Sequence, residues 1–151
     1  MSTSFTFQPF RYLRLSLTDR CNFRCLYCLP EAEQAFHPLE NTLRVADWRI
    51  LLPLLRALGI RKVRLTGGEP TLHPHLLDVV GLLSSCGFEE TALTTNGFRL
   101  AKMAGALKVL GLTRVNVHLD SLKPQVFDRM SQTSGLFPKV LEGIRVSKAA
   151  G

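Results

Sequence analysis

Three of the chain's four cysteines, Cys21, Cys25 and Cys28, stand within eight residues of one another in "TDRCNFRCLYCLP". The spacing is C-x3-C-x2-C, and no further cysteine or histidine follows at a familiar ligand spacing. Structural zinc sites close a tetrahedron, usually from paired short spacings. Disulfides need an even number of thiols and an oxidising compartment. Three thiolates on a four-iron cube leave one iron exposed, where a substrate or cofactor can bind. An iron–sulfur centre with an open corner is therefore the chemistry that suits the trio, with a zinc-binding domain as an alternative. Cys86, in "LLSSCGF" beside a glycine stop, reads as a small buried hydrophobe and not as a ligand.

A second chemical stretch is "TGGEP", Thr66 to Pro70. Adjacent glycines, Gly67 and Gly68, let backbone approach a ligand closely, and Glu69 offers an acceptor for an ammonium group. Alone, such a stretch is turn chemistry. Placed directly after a strand, one unit beyond the cysteine loop, it gains weight.

The elements that must position these groups alternate. "YLRLSLT" (Tyr12–Thr18), "KVRLT", "ETALTT" and "RVNVHLD" read as strands. Between and after them lie helical stretches: "ADWRILLPLLRALG" (interrupted by Pro53), "PHLLDVVGLLSSCG", "LAKMAGALKVLG", "PQVFDRM" and "FPKVLEGIRVSKAAG". This order predicts an α/β fold with parallel strands joined by helical crossovers. Catalytic groups in such folds collect at the C-terminal ends of strands, and the cysteine loop follows the first strand.

Within the strands a period of two separates side chains by face. Leu13, Leu15 and Leu17 oppose Arg14, Ser16 and Thr18; Val63 and Leu65 oppose Lys62, Arg64 and Thr66. Thr94 and Asn96 oppose Leu93, and Val115, Val117 and Leu119 oppose Asn116, His118 and Asp120. The apolar set packs under the helices; the polar set must then face water or line a concave cavity, and the helical crossovers favour the cavity. Arg14 and Arg64 project into that cavity, where unpaired charge is costly and a guanidinium fork fits phosphate or carboxylate. An anionic ligand is expected there.

Composition agrees with a single domain. A chain of 151 residues with 46% hydrophobic content can bury a core unaided. Lys and Arg outnumber Asp and Glu by 19 to 12, a formal charge of +7. The basic residues are dispersed, which argues against a nucleic-acid tail. No apolar run is long enough for a membrane span, and "MSTSFTFQPF" lacks the pattern of a secretory signal, so a cytoplasmic protein is expected.

The cysteine loop, with Tyr27 just before its last cysteine, resembles the radical S-adenosylmethionine (SAM) superfamily. "LRLSLTDRCNFRCLYCLP", "KVRLTGGEPTLH", "LTTNGFRLAK" and "GLTRVNVHLDSL" are more narrowly similar to the GTP 3′,8-cyclase family of molybdenum cofactor biosynthesis. That resemblance implies a partial parallel (βα) barrel of radical SAM type, here about four βα units and incomplete at the C-terminus. Residues 1–151 would be the N-terminal portion of the core domain, without the region that binds a second cluster in the family.

It also implies a [4Fe-4S] cluster on Cys21, Cys25 and Cys28, with SAM as the fourth ligand. SAM contacts fall to Tyr27, Gly67, Gly68, Glu69 and His118, the last at a position where many members have serine. GTP contacts fall to Arg14, Arg64 and Thr94, residues that strand periodicity independently places on the polar face. The implied lyase reaction begins with reductive cleavage of SAM to an adenosyl radical that takes hydrogen from the GTP ribose C3′; the resulting carbon radical attacks C8. An electron donor such as flavodoxin or ferredoxin, and a family-like homodimer, complete the expected partners; no nucleic acid and no membrane are expected. A radical SAM enzyme acting on a peptide is the second reading, ahead of a basic zinc-binding domain.

Overall fold

The computed structural model describes residues 10–28, 36–38 and 42–151. The first nine residues of the stretch screened for a secretory signal, and Leu29 and Pro30 of the cysteine motif, lie outside the described residues.

Four strands, β1 (Tyr12–Ser16), β2 (Lys62–Thr66), β3 (Glu90–Thr95) and β4 (Arg114–Val117), form one sheet in the order β1-β2-β3-β4. Every pairing is parallel. The connections are α1 (Val45–Ala57), then a 3₁₀ turn (Pro70–Leu72) with α2 (Leu76–Ser85), then α3 (Leu100–Val109). Two helices follow β4, α4 (Pro124–Ser131) and α5 (Phe137–Ala150). The sequential order with helical crossovers is the α/β partial barrel expected from the alternation.

Alternation along the strands determines what the helices cover. Leu13, Leu15, Leu17, Val63, Leu65 and Leu93 meet Trp48 and Leu52 of α1, and Leu76, Val79, Val80 and Leu83 of α2, in one apolar cluster. Removal of that surface from water is the main favourable term in forming the sheet–helix layer. Leu119 departs from the expected pattern. The strand ends before it, and it packs instead with Phe23, Phe127, Phe137 and Val140, a second cluster beneath the cysteine loop. That cluster anchors the loop from below.

Helix α1 continues through Pro53 without a break. The proline is exposed, so the carbonyl that loses its intrahelical donor can be solvated. Helix α2 starts at Leu76, two residues later than Pro74, because the 3₁₀ turn takes the chain away from Glu69 first.

Helix α5 lies against α3 through a close approach at Gly143. A Cβ there would stand 2.5 Å from the Gly97 carbonyl oxygen and 3.1 Å from Leu100 Cβ. Gly105 of α3, by contrast, has nothing within 4 Å of a Cβ position. Gly143→Ala should therefore destabilise the chain by about 1–3 kcal/mol through overpacking. Gly105→Ala should stabilise it by up to about 1 kcal/mol from helix propensity. Urea unfolding of the two variants should move in opposite directions.

Candidate functional site

The cysteine loop leaves β1 and crosses the C-terminal ends of the strands. Its path is determined by contacts between backbones. Gly67 lies at φ 135°, a conformation that glycine adopts readily, and a Cβ there would fall 2.2 Å from the Thr18 carbonyl oxygen. A Cβ on Gly68 would fall 2.4 Å from the Arg20 carbonyl oxygen. With no side chain in the way, Gly68 N–H donates to Thr18 O at 2.7 Å and Glu69 N–H to Arg20 O at 2.7 Å. The paired glycines thus fasten the loop after β2 to the start of the cysteine loop.

Glu69 is 1% exposed. Its Oε1 accepts from Thr71 N–H at 3.0 Å, from the Thr71 hydroxyl, and from the Thr95 hydroxyl at 2.7 Å. Its Oε2 accepts from Asn96 N–H at 2.7 Å. Three donors converge on Oε1 and one reaches Oε2, which compensates the burial of this group and leaves Oε2 with an acceptor position to spare. Glu69 therefore joins the loop after β2 to the loop after β3. From there Asn96 Nδ2 donates to Asn22 Oδ1 at 3.0 Å and reaches Cys21 Sγ at 4.0 Å.

All three cysteines are free thiols. They line a pocket of about 230 Å³ together with Tyr27, Gly67, Gly68, Glu69, Thr94 and His118. The pocket thus brings together nine of the eleven site residues expected from sequence. Burial is the main cause that pushes the Cys21 and Cys25 thiols above their ordinary pKa. Loading a metal on them would release protons. Among the described residues, no group of three or more His, Cys, Asp or Glu side chains has the arrangement of a metal-ion site. The cysteines border a cavity instead, and a loop of three thiols along one wall fits a cluster seated within it.

Across the pocket, the Tyr27 hydroxyl stands 2.6 Å from His118 Nε2 and donates to Asp120 Oδ2 at 3.1 Å. His118 Nε2 lies 3.0 Å from Asp120 Oδ1. This triangle ties the cysteine loop to the end of β4. Asp120 was not among the expected site residues, although its alternation with His118 and Asn116 placed it on the polar face.

Arg14 and Arg64 are neighbours in register on the same face of β1 and β2 but do not line the pocket: Arg64 is half-buried and Arg14 is exposed, where the alternation had placed both inside a cavity. The Arg64 guanidinium sits 5.6 Å from the centroid of the Tyr12 ring, and its Nε is buried without a hydrogen-bond partner. Asn116 Nδ2, whose residue is in register with Thr94, is likewise buried and unpartnered. The neighbouring carboxylate, Glu90, is engaged with Lys62 and Arg114 at 3.6 Å each. Neighbouring guanidinium groups are the kind of donors that suit phosphate or carboxylate. Thr95 and Asn96 were missed as individual site residues. Their signal was the "TTNG" stretch, which in isolation resembles an ordinary turn.

Fold and site together define a half-barrel core whose strand ends carry a thiolate loop above an arginine-lined face. Residues 15–151 match the radical SAM superfamily, and the chain belongs to that superfamily. It is 44% identical over 141 residues to the GTP 3′,8-cyclase of Listeria welshimeri, and 42% identical over 139 residues to that of Limosilactobacillus fermentum. The matches cover 93% and 91% of the chain but 42% of each relative, so the chain spans less than half the length of these proteins. The fold also resembles Streptococcus suis SuiB bound to S-adenosylmethionine, with a TM-score of 0.70 at 17% identity over 93% of this chain and 31% of SuiB.

The junction at Glu69 yields a test. Thr95→Val removes one of its four donors and should cost about 1–3 kcal/mol, the usual penalty for a buried acceptor left short. Denaturant unfolding should show that loss, and iron retained after reconstitution should fall with it.

Proposed function

We propose that this chain is the cluster- and SAM-binding part of a GTP 3′,8-cyclase. The reaction is a lyase-type conversion of GTP to (8S)-3′,8-cyclo-7,8-dihydroguanosine 5′-triphosphate, which begins molybdenum cofactor biosynthesis in the cytoplasm. The observation that carries the substrate assignment is the neighbouring pair Arg14, exposed, and Arg64, half-buried, with the buried atoms Arg64 Nε and Asn116 Nδ2 lacking a hydrogen-bond partner among the described residues. The similarity to GTP 3′,8-cyclases supports the same reading.

Cys21, Cys25 and Cys28 would hold the [4Fe-4S] cluster, and the pocket they line would take SAM against Tyr27, Gly67, Gly68 and His118. Bound there, cluster and SAM supply one-electron chemistry that ends in hydrogen abstraction from substrate. Glu69, which lines the same pocket, would offer the free acceptor position of its Oε2 to the SAM ammonium while its other bonds hold Thr71 and the Thr95–Asn96 segment. Arg14 and Arg64 hold the triphosphate as a bidentate, charge-assisted clamp. Thr94 lines the pocket on the strand whose register partner is Asn116, between the clamp and the thiols. This spacing along one face orients the nucleotide with its phosphates deep and its sugar toward the cofactor. Orientation matters because the reactive centre must meet one chosen hydrogen and not protein or solvent.

The partners follow from the same chemistry. Reduction needs an electron donor of the flavodoxin or ferredoxin class, and a homodimer is the expected assembly. Among the described residues, no helix is long and apolar enough to cross a membrane.

Arg64→Ala should weaken GTP binding at least tenfold in an equilibrium titration while iron and sulfide content stay unchanged. Unchanged GTP affinity would remove the anion-clamp assignment. Loss of the cluster in that variant would make Arg64 a structural residue.

A further inference from the structure

Behind the thiol pocket lies a larger groove, about 610 Å³, formed between the turn after Glu69 and the first turns of α3 and α5. Its floor is apolar, with Leu77, Phe98 and Met103, and its rim carries Arg99, Lys102 and Lys139. Among the described residues no acidic side chain lines it, and neither α3 nor α5 has one in its first turn. The described acids nearest in sequence are already engaged, Glu69 with Thr71, Thr95 and Asn96, Asp78 with His75 at 3.1 Å and Glu142 with Arg145 at 3.9 Å. His73 is held below its ordinary pKa chiefly by burial, so near neutral pH the groove's positive charge comes from the three cations alone.

The cations are placed, not merely nearby. Arg99 Nη1 donates to Thr71 O at 3.0 Å, and Lys139 Nζ stands 5.2 Å from the centroid of the Phe98 ring. Phe98 lines the groove and packs against a residue that lines the thiol pocket. Its ring lies 6.5 Å from that of Phe23, which sits between Cys21 and Cys25 and lines that pocket. Phe98 N–H donates to Asn96 Oδ1 at 3.0 Å, and the same Asn96 side chain reaches Cys21 Sγ. One residue therefore separates an apolar groove with a basic rim from the network around a thiol ligand.

We propose that this groove is the docking surface for the acidic protein that delivers the electron. This rests on the iron–sulfur reading above. An apolar floor inside a ring of like charge is the usual anatomy of a transient interface, where complementary charge sets the encounter rate. Carboxylates of the donor face Arg99, Lys102 and Lys139, and its flavin edge meets Phe98. In the step itself the donor's flavin hydroquinone is oxidised to the semiquinone as the cluster gains one electron. No covalent bond of the chain is made or broken.

The test uses the reconstituted protein and reduced flavodoxin, an acidic FMN protein. Lys102→Glu with Lys139→Glu should slow flavodoxin-driven bleaching of the cluster at least tenfold at low salt, leaving reduction by photoexcited deazaflavin unchanged. Arg49→Glu with Lys148→Glu makes the same net-charge change on exposed residues elsewhere and should have little effect. Equal rates for the two double variants would overturn the proposal. A titration with oxidised flavodoxin separates this result from failure of the iron–sulfur reading. If no cluster assembles, affinity lost only in the groove variant still supports the surface, and affinity lost in neither variant rejects it.

Discussion

A buried carboxylate governs this molecule. Glu69 sits on the C-terminal side of β2 with almost no solvent contact, and burial of an unpaired charge there would be prohibitive. It is tolerated because Thr71, Thr95 and Asn96 turn four donors toward it. Satisfying that one group positions three loops. The turn into α2 is capped by Glu69 itself, and the loop after β3 is held through Thr95 and Asn96. The cysteine loop is reached twice, through Asn96 to Asn22 and through the glycine backbone to Thr18 and Arg20. Polar networks of this kind are worth most where solvent is excluded, and they specify one arrangement. The thiols are then carried on a frame that other elements hold from above and below, since the Phe23 cluster supports the loop from the opposite side.

Much of this architecture was legible from local pattern. Period-two alternation placed Leu13, Val63 and Leu93 toward the helices and Arg14, Arg64 and Asn116 on the other face, and the register then sets Arg14 beside Arg64, which alternation alone does not specify. Such placement needs only strand geometry, which a short sequence window contains. The role of Glu69 was not legible. "GGEP" offers an acceptor, but its donors at residues 95 and 96 lie on another strand end, and no local rule pairs them. The same is true of Tyr27 with His118 and Asp120. Alternation put the last two on one face, whereas the loop that delivers Tyr27 follows a tertiary path. Leu119 failed the pattern because the strand ended two residues earlier and the chain turned toward the phenylalanines.

The polar face divides its labour by depth. At the start of the strands Glu90 pairs with Lys62 and Arg114, while Arg14 and Arg64 have no carboxylate partner among the described residues. Near the top, the thiols and the triangle of Tyr27, His118 and Asp120 frame the pocket mouth. An anion and a thiolate-bound cofactor would thus be held at fixed separation by one rigid sheet. Sites built on strands hold their geometry better than sites carried only by loops, which suits chemistry that must choose one hydrogen.

The most direct measurement is electron paramagnetic resonance of the anaerobically reconstituted, reduced protein before and after addition of SAM. The account predicts a four-iron signal whose shape changes when SAM binds, because three protein thiolates leave one iron for the cofactor. A cluster signal indifferent to saturating SAM would contradict it, showing that the pocket bounded by Tyr27, Gly68 and His118 does not receive the cofactor.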